Sequence, residues 1–213
     1  MFPTWPDFAA MGLQIGNYLL EIGPFILFGA VVASAKITLL GRSEKTWTGY
    51  RLVAPVAAIP LGILPVAAAA LRSWLIARTG TGQDVEPTEQ ESGTFRRAIS
   101  YAEGLVFPFM ISAAIGAAII VMTPTEPLWT LLSADSPWRL IIAPVVAGLV
   151  KPRGGSELPL VMAMITKGLD PVGAVAAILG AGYLHARSIP LAMVHIVGAV
   201  VIGAILWQTG LSL

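Results

Sequence analysis

The sequence has no cysteine and few charged residues. Of its 213 residues, 12% are Asp, Glu, Lys or Arg, and none is Cys. Without thiols the chain cannot form disulfides, thiolate metal sites or cysteine nucleophiles. Soluble domains carry about 25% charged residues, so this composition is not that of a soluble domain. The net charge of +1 also gives no indication of a nucleic-acid partner.

Apolar residues take the place of the missing charges. The hydrophobic fraction is 56% and the mean hydropathy is +0.79. The apolar runs are rich in Ala, Gly, Leu, Ile and Val, and they lack the alternation typical of a membrane β-barrel. The sequence therefore predicts an all-α integral membrane protein that crosses the inner (plasma) membrane several times. We expect about four spanning helices, at 13–40, 98–123, 172–186 and 191–211.

Two further apolar stretches are interrupted. Residues 52–71 contain Pro55, Pro60, Gly62 and Pro65, and they can form either one kinked span or a helical hairpin that enters and leaves by the same face. Residues 140–165 are interrupted at 151–159 by three charges, two prolines and two glycines. Neither flank reaches the roughly 20 apolar residues that a spanning helix needs. A broken helix carrying charges is typical of a transport site.

An internal repeat is suggested by three matches in the same order. Pro24-Phe25 resembles Pro108-Phe109, and an Arg-Leu start with Ala-Pro-Val recurs at 51–56 and 139–145. Leu64-Pro65-Val66 then resembles Leu158-Pro159-Leu160. The predicted units are 1–97, a span and a hairpin followed by the linker 79–97, and 98–213, a span and a hairpin followed by two further spans.

The charge distribution predicts the topology. If both broken elements are hairpins, the eight basic residues from Lys36 to Arg97 lie on one side, which the positive-inside rule makes cytoplasmic. The loop 41–50 and the segment 79–97 are then cytoplasmic, and the acidic loop 124–138 is outside. The two units run antiparallel, as in the inverted repeats of secondary transporters. The alternative, in which both elements span, places Arg78, Arg96 and Arg97 outside.

With these motifs in place, the chain resembles the predicted permease family that includes the organoarsenical efflux permeases. The resemblance rests on Pro24-Phe25, on Leu64-Pro65 through Leu71-Arg72, and on Leu158-Pro159-Leu160 through Lys167-Gly168-Leu169-Asp170-Pro171. Members of that family are often longer and have cysteines before the first Leu-Pro, where this chain has Ile59-Pro60-Leu61-Gly62-Ile63. The resemblance implies a permease and does not give the cargo.

The residues expected to bind substrate lie at the two interruptions. Ionisable groups inside a membrane element predict function by default, and Arg153 and Glu157 flank two glycines that can free backbone N–H groups for an anion. We expect a polar tip facing the other hairpin, in which Arg153 and Glu157 either pair with each other or clamp the substrate. The alternative is a solvated surface turn. The predicted site residues are Arg153, Gly154, Gly155, Ser156 and Glu157, with Pro60 and Gly62 opposite them.

Other ionisable residues are weaker candidates. Glu21 and Glu103 occupy related spans, where each either carries a coupling proton or pairs with a nearby arginine. His185 and His195 do not make a metal site without further ligands, so no metal and no cofactor are expected. The sequence contains no His-Glu-x-x-His, Gly-x-Ser-x-Gly or paired-Asp motif, so no enzymatic activity is predicted.

Two functions from different classes follow. The first is a permease that moves a small solute or ion by alternating access between the hairpin tips. The second is a non-transporting subunit or assembly factor that packs against partner membrane proteins. Because the chain is small for a complete transporter, the first function predicts a homo-oligomer.

Overall fold

All regular structure in the described part of the chain is helical. The computed structural model describes residues 4–40, 49–79, 93–182 and 189–209. Besides one 3-10 turn at Ile59–Leu61, the α-helices are α1 (Trp5–Glu21), α2 (Gly23–Leu40), α3 (Gly49–Ala57), α4 (Ile63–Thr79), α5 (Thr94–Met122), α6 (Thr125–Leu132), α7 (Arg139–Ala147), α8 (Leu158–Thr166), α9 (Pro171–Gly180) and α10 (Ile189–Gln208).

Two stretches are long and apolar enough to cross a membrane, judged by length and composition. They are Trp5–Lys36, which covers α1 and most of α2, and Thr94–Met122, which is α5. The first begins earlier than the predicted residue 13. It breaks at Ile22, where the following Gly23-Pro24 starts a new helix because proline has no N–H to continue the ladder.

The predicted span at 172–186 is much shorter in the structure. Its described helix, α9, has 10 residues, which at 1.5 Å per residue is about 15 Å, half the hydrocarbon thickness of a bilayer. Four full-length spans are therefore not present among the described residues.

Instead, α9 is the centre of the packing. Every residue from Val172 to Gly180 is buried, as expected of a helix that is apolar on all sides. Helices α4, α7, α8 and α10 all pack against it. A Cβ at Gly180 would lie 2.5 Å from Pro144 Cβ, so glycine is what allows α7 to approach this closely.

The long helix α5 organises the other side of the molecule. It contacts α1, α2 and α8. A Cβ at Gly116 would lie 2.9 Å from the Pro159 carbonyl oxygen, so the start of α8 lies directly on the backbone of α5. The second broken element is therefore held between α5 and α9.

Both interrupted stretches are broken as predicted. The first consists of α3 and α4, which pack against each other across the turn at Gly62. The second consists of α7 and α8, separated by the non-helical residues 148–157. Here α7 packs mainly on α9, and α8 packs mainly on α5, so this pair is more open than the first.

The loop predicted at 124–138 is wrong in part, because it contains α6. Pro124 precedes this helix and Pro127 lies in its first turn, where a missing N–H costs no helical hydrogen bond. The predicted loop at 41–50 and the segment at 79–97 fall largely outside the described residues.

The internal repeat stays a prediction. The two halves use different contacts, since α2 packs on α3 whereas its proposed counterpart α5 packs on α8. The division into units 1–97 and 98–213 likewise stays a prediction.

Candidate functional site

Glu157 is a completely buried carboxylate at the end of the second interruption. Its side chain has 0% exposure, and its Oε1 lies 2.6 Å from Nη1 of Arg72, which is 2% exposed. Arg72 comes from α4 in the first half of the chain, and Glu157 immediately precedes α8 in the second half. The ion pair therefore joins the two broken elements in the interior.

Arg72 also contacts the end of the central helix. Its Nη1 donates a hydrogen bond of 2.9 Å to the Ile178 carbonyl oxygen. Ile178 is in the last turn of α9, where carbonyl groups lack intrahelical partners and where the helix dipole favours a cation. Arg72 thus links α4, the second interruption and the C-terminus of α9.

The pair leaves polar atoms unused. Glu157 Oε2 and Arg72 Nε are buried and have no hydrogen-bond partner among the described residues. A buried polar group without a partner costs about 1–3 kcal/mol. The site therefore has buried polar atoms that its protein contacts do not satisfy. Such atoms are a feature of sites that accept a ligand, a proton or water.

The turn that presents Glu157 is built by glycine and serine. Gly154 and Gly155 have φ angles of 54° and 89°, a region that side-chain-bearing residues rarely adopt. The Ser156 hydroxyl donates to the Lys151 carbonyl oxygen at 2.9 Å and accepts from the Arg153 N–H at 3.1 Å. Ser156 therefore closes the turn, and Pro159 lies in the first turn of α8 as predicted.

The predicted pairing of Glu157 with Arg153 is replaced by the ion pair with Arg72. Arg153 is partly exposed, whereas Glu157 points into the protein. The surface-turn alternative is wrong for this residue, because Ser156 and Glu157 are both completely buried.

The turn at 151–157 contacts the first broken element on α3, a few residues before the predicted tip at Pro60 and Gly62. A Cβ at Gly155 would lie 2.9 Å from Ala57 Cβ and 3.6 Å from Ala54 Cα, so the turn packs on α3 rather than on the tip itself. Gly62 is exposed and Pro60 is half-buried. The two interruptions are neighbours, but Pro60 and Gly62 are not what Gly155 touches.

The predicted coupling residues are not brought to this site. Glu21 and Glu103 are both exposed, on α1 and α5. His195 on α10 is buried, with Arg72 and the Leu179 carbonyl near its ring. His195 is thus closer to the buried ion pair than either carboxylate candidate, while His185 lies outside the described residues.

A second set of buried charges lies at the other end of α9. Arg139 Nε is 3.0 Å from Asp170 Oδ1, and the guanidinium lies 5.3 Å from the centre of the Trp207 ring. Asp170 also caps α9 by accepting from the Gly173 N–H at 2.9 Å. Lys167 Nζ donates to the Thr123 carbonyl oxygen at 2.8 Å. Arg139 and Asp170 fasten α7, α9 and α10 together, whereas Lys167 links the end of α8 to the end of α5. Arg139 Nη2 and Asp170 Oδ2 are also buried without a hydrogen-bond partner among the described residues.

An apolar groove of about 310 Å³ opens on the outer surface between α1, α2 and α5. It is separate from the Arg72–Glu157 pair. Its lining is almost entirely hydrocarbon and includes Leu19, Pro24, Leu27, Val106, Phe109 and Met110.

The chemistry available at the candidate site is ion pairing and proton exchange. Among the residues that the structure describes, no group of three or more His, Cys, Asp or Glu side chains is arranged to hold a metal ion. Comparison of the chain with protein-family models, with curated proteins and with solved structures gives no match in any of the three.

Proposed function

We propose that the protein is an integral membrane permease that moves a small solute or ion by alternating access, with the Arg72–Glu157 pair at its substrate site. In this proposal α1–α2, α5 and α10 cross the inner (plasma) membrane. The two broken elements, α3–α4 and α7–α8, enter it without spanning. The permease acts as a homo-oligomer, because one chain supplies few complete spans.

The membrane part of the proposal is supported by the outer surface. Large apolar side chains such as Leu20, Phe28, Phe107 and Val201 are exposed on α1, α2, α5 and α10. Many exposed apolar side chains on the outer faces of helices are favourable in contact with lipid and unfavourable in contact with water. The two long apolar stretches agree with this reading.

The transport part is carried by the buried ion pair. A charge inside the bilayer costs on the order of 3 kcal/mol even on the mildest scale, and an ion pair replaced by apolar residues is often more stable. A purely structural core at this position would need neither Arg72 nor Glu157. Their placement at an interruption, joining two halves that alternating access would move apart, favours a functional role.

Flux from proteoliposomes tests this proposal. The purified chain is reconstituted and assayed with a panel of small anions, cations and neutral solutes. We expect Glu157→Gln, which preserves the shape of the side chain, to abolish transport or uncouple it. Glu126→Gln on the exposed part of α6 is the matched control and should keep wild-type flux. Wild-type flux in Glu157→Gln at normal expression would contradict the proposed site.

The apolar groove between α1, α2 and α5 favours a second candidate function, a subunit that packs against a partner membrane helix. The two functions differ in how the protein purifies. A symmetric oligomer of this chain alone that catalyses flux supports the permease. Recovery only together with an unlike membrane protein, without flux, supports the subunit.

A further inference from the structure

The Arg72–Glu157 site carries a net positive charge when Glu157 is protonated. With Glu157 ionised, its charge and that of Arg72 cancel across 2.6 Å. With Glu157 protonated, the guanidinium remains charged, and its described contacts there are the neutral carboxyl and the Ile178 carbonyl oxygen. A buried, uncompensated cation is strongly unfavourable, so protonation of Glu157 creates a demand for another anion.

The surrounding charges do not supply that anion. The Asp, Glu, Lys, Arg and His residues on α3, α4, α10 and the turn around Glu157 are Arg51, Arg72, Arg78, His195, Lys151 and Arg153. All of these are basic. Helix α9 has no ionisable residue between Pro171 and Gly180, and α8 has none from Leu158 to Thr166. Helix α5 packs on α8 and carries Glu103, but Glu103 is exposed and lies several turns before Gly116, where α8 begins. The Tyr18 hydroxyl beside Gly116 is uncharged at neutral pH. Among the described residues around the pair, Glu157 is thus the one buried carboxylate, and its neutralisation leaves the site net positive.

The guanidinium of Arg72 offers an anion both a positive charge and a donor without a partner among the described residues. The Ser156 and Leu158 N–H groups donate to carbonyl oxygens of the turn, and the Leu160 N–H donates to the backbone carbonyl oxygen of Glu157. By contrast, Arg72 Nε has no hydrogen-bond partner within the part of the chain that the structure describes. A guanidinium is a planar fork of donors that matches the two oxygens of a carboxylate. A ligand that replaces Glu157 on Arg72 should therefore have the same planar oxygen pair.

We propose that the substrate is a small monovalent oxyanion of the carboxylate type, which replaces Glu157 on Arg72 while Glu157 takes up one proton from water. This inference rests on the proposed function and gives its substrate class and coupling. Anion and proton then bind together and leave together, because each removes the charge that opposes the other. By linkage, the anion raises the affinity for the proton by the same factor as the proton raises that for the anion.

Formate binding to the full chain in detergent tests the proposal. Between about pH 6 and about pH 8 formate stays ionised, as carboxyl groups do well above pH 4. One linked proton predicts that the Kd for formate rises by up to about tenfold per pH unit. Formate added to unbuffered protein should also raise the pH of the solution, by about one proton per site. Glu126→Gln should reproduce both results.

Two variants sharpen the test. Glu157→Gln imitates the protonated carboxyl, so it should bind formate near pH 8 more tightly than wild type does, with no dependence on pH. Arg72→Gln should lose formate binding at every pH. A pH-independent Kd in wild type, or no proton uptake on binding, would overturn the proposal, and these two measurements do not depend on the stability of any variant.

The outcome separates this inference from the permease itself. Flux of tetramethylammonium or glycerol that is sensitive to Glu157→Gln, without formate binding, would overturn the oxyanion and leave the permease. Proton-linked formate binding without flux of any solute would support the anion site and count against the permease.

Discussion

Arg72 and Glu157, from opposite halves of the chain, form an ion pair in which neither side chain is more than 2% exposed. Breaking a buried pair by removing one partner costs about 3–5 kcal/mol, because the other charge is left alone. We therefore expect Arg72→Gln and Glu157→Gln each to destabilise the protein. The double variant should lose less than the sum of the two single losses.

Unfolding of the detergent-solubilised protein measures this coupling. A double-mutant cycle that combines Arg72→Gln with Glu126→Gln serves as the control. Its two losses in free energy of unfolding should be additive, because Glu126 is exposed on α6. Additive losses for Arg72 and Glu157 as well would mean that the two side chains do not interact in the folded protein.

Gly155 gives a test of the packing between the two interruptions. Gly155→Ala should be destabilising for two reasons, the φ angle of 89° and a Cβ placed 2.9 Å from Ala57 Cβ. Gly62→Ala is the matched control, since its φ angle is 106° and nothing lies within 4 Å of an added Cβ. We expect Gly155→Ala to cost about 1–3 kcal/mol more than Gly62→Ala, as overpacking does. Ala57→Gly should recover part of that difference, and equal costs for the two glycines would contradict the contact.

Substitutions of Asp170 distinguish the contribution of its ion pair with Arg139 from that of its role as the N-cap of α9. Asp170→Asn keeps a good N-cap for α9 but leaves Arg139 without its charged partner, whereas Asp170→Ala removes both. Unfolding experiments should show that Asn is destabilising and that Ala is worse by about 1 kcal/mol, the usual value of an N-cap. If Asn is as stable as the wild type, the Arg139–Asp170 pair contributes nothing to stability.

Labelling of single cysteines tests the membrane arrangement, and the absence of native cysteine leaves no background. Arg96→Cys at the start of α5 and Asp135→Cys beyond its end are both at exposed positions. Helix α5 has 29 residues and is thus about 43 Å long. The two positions should therefore react from opposite sides of sealed vesicles, with Arg96→Cys on the cytoplasmic side. Reaction of both from one side would exclude α5 as a span.

Much of the fold was predictable from residue patterns. The helical class and the breaks at Gly62 and at residues 151–159 follow from prolines, glycines and charges inside apolar runs. The role of Glu157 at the second break stays a prediction. Helix α6 was missed because Pro124 and Pro127 suggested a loop, although both are at positions that begin a helix. The shortness of α9 was missed because an apolar, Ala-rich sequence does not mark where a buried helix ends.

The partner of Glu157 was not predictable in the same way. Arg153 is nearby in sequence, whereas Arg72 follows an apolar run and was one of the eight basic residues from Lys36 to Arg97 that predicted the cytoplasmic side. Only the packing of α4 on α9 brings Arg72 to Ile178 and Glu157. A contact of this kind depends on tertiary structure, which local patterns do not determine.

The most direct test of the central claim, that the Arg72–Glu157 region is a transport site, is the reactivity of Ser156→Cys in reconstituted vesicles. Ser156 is buried beside Glu157, and a static core would shield a thiol there. Alternating access predicts that a charged, membrane-impermeant thiol reagent modifies this cysteine from either side of the membrane, and that Asp135→Cys reacts from one side only. A Ser156→Cys thiol that resists the reagent from both sides, yet reacts after unfolding in detergent, would contradict a transport site at this position.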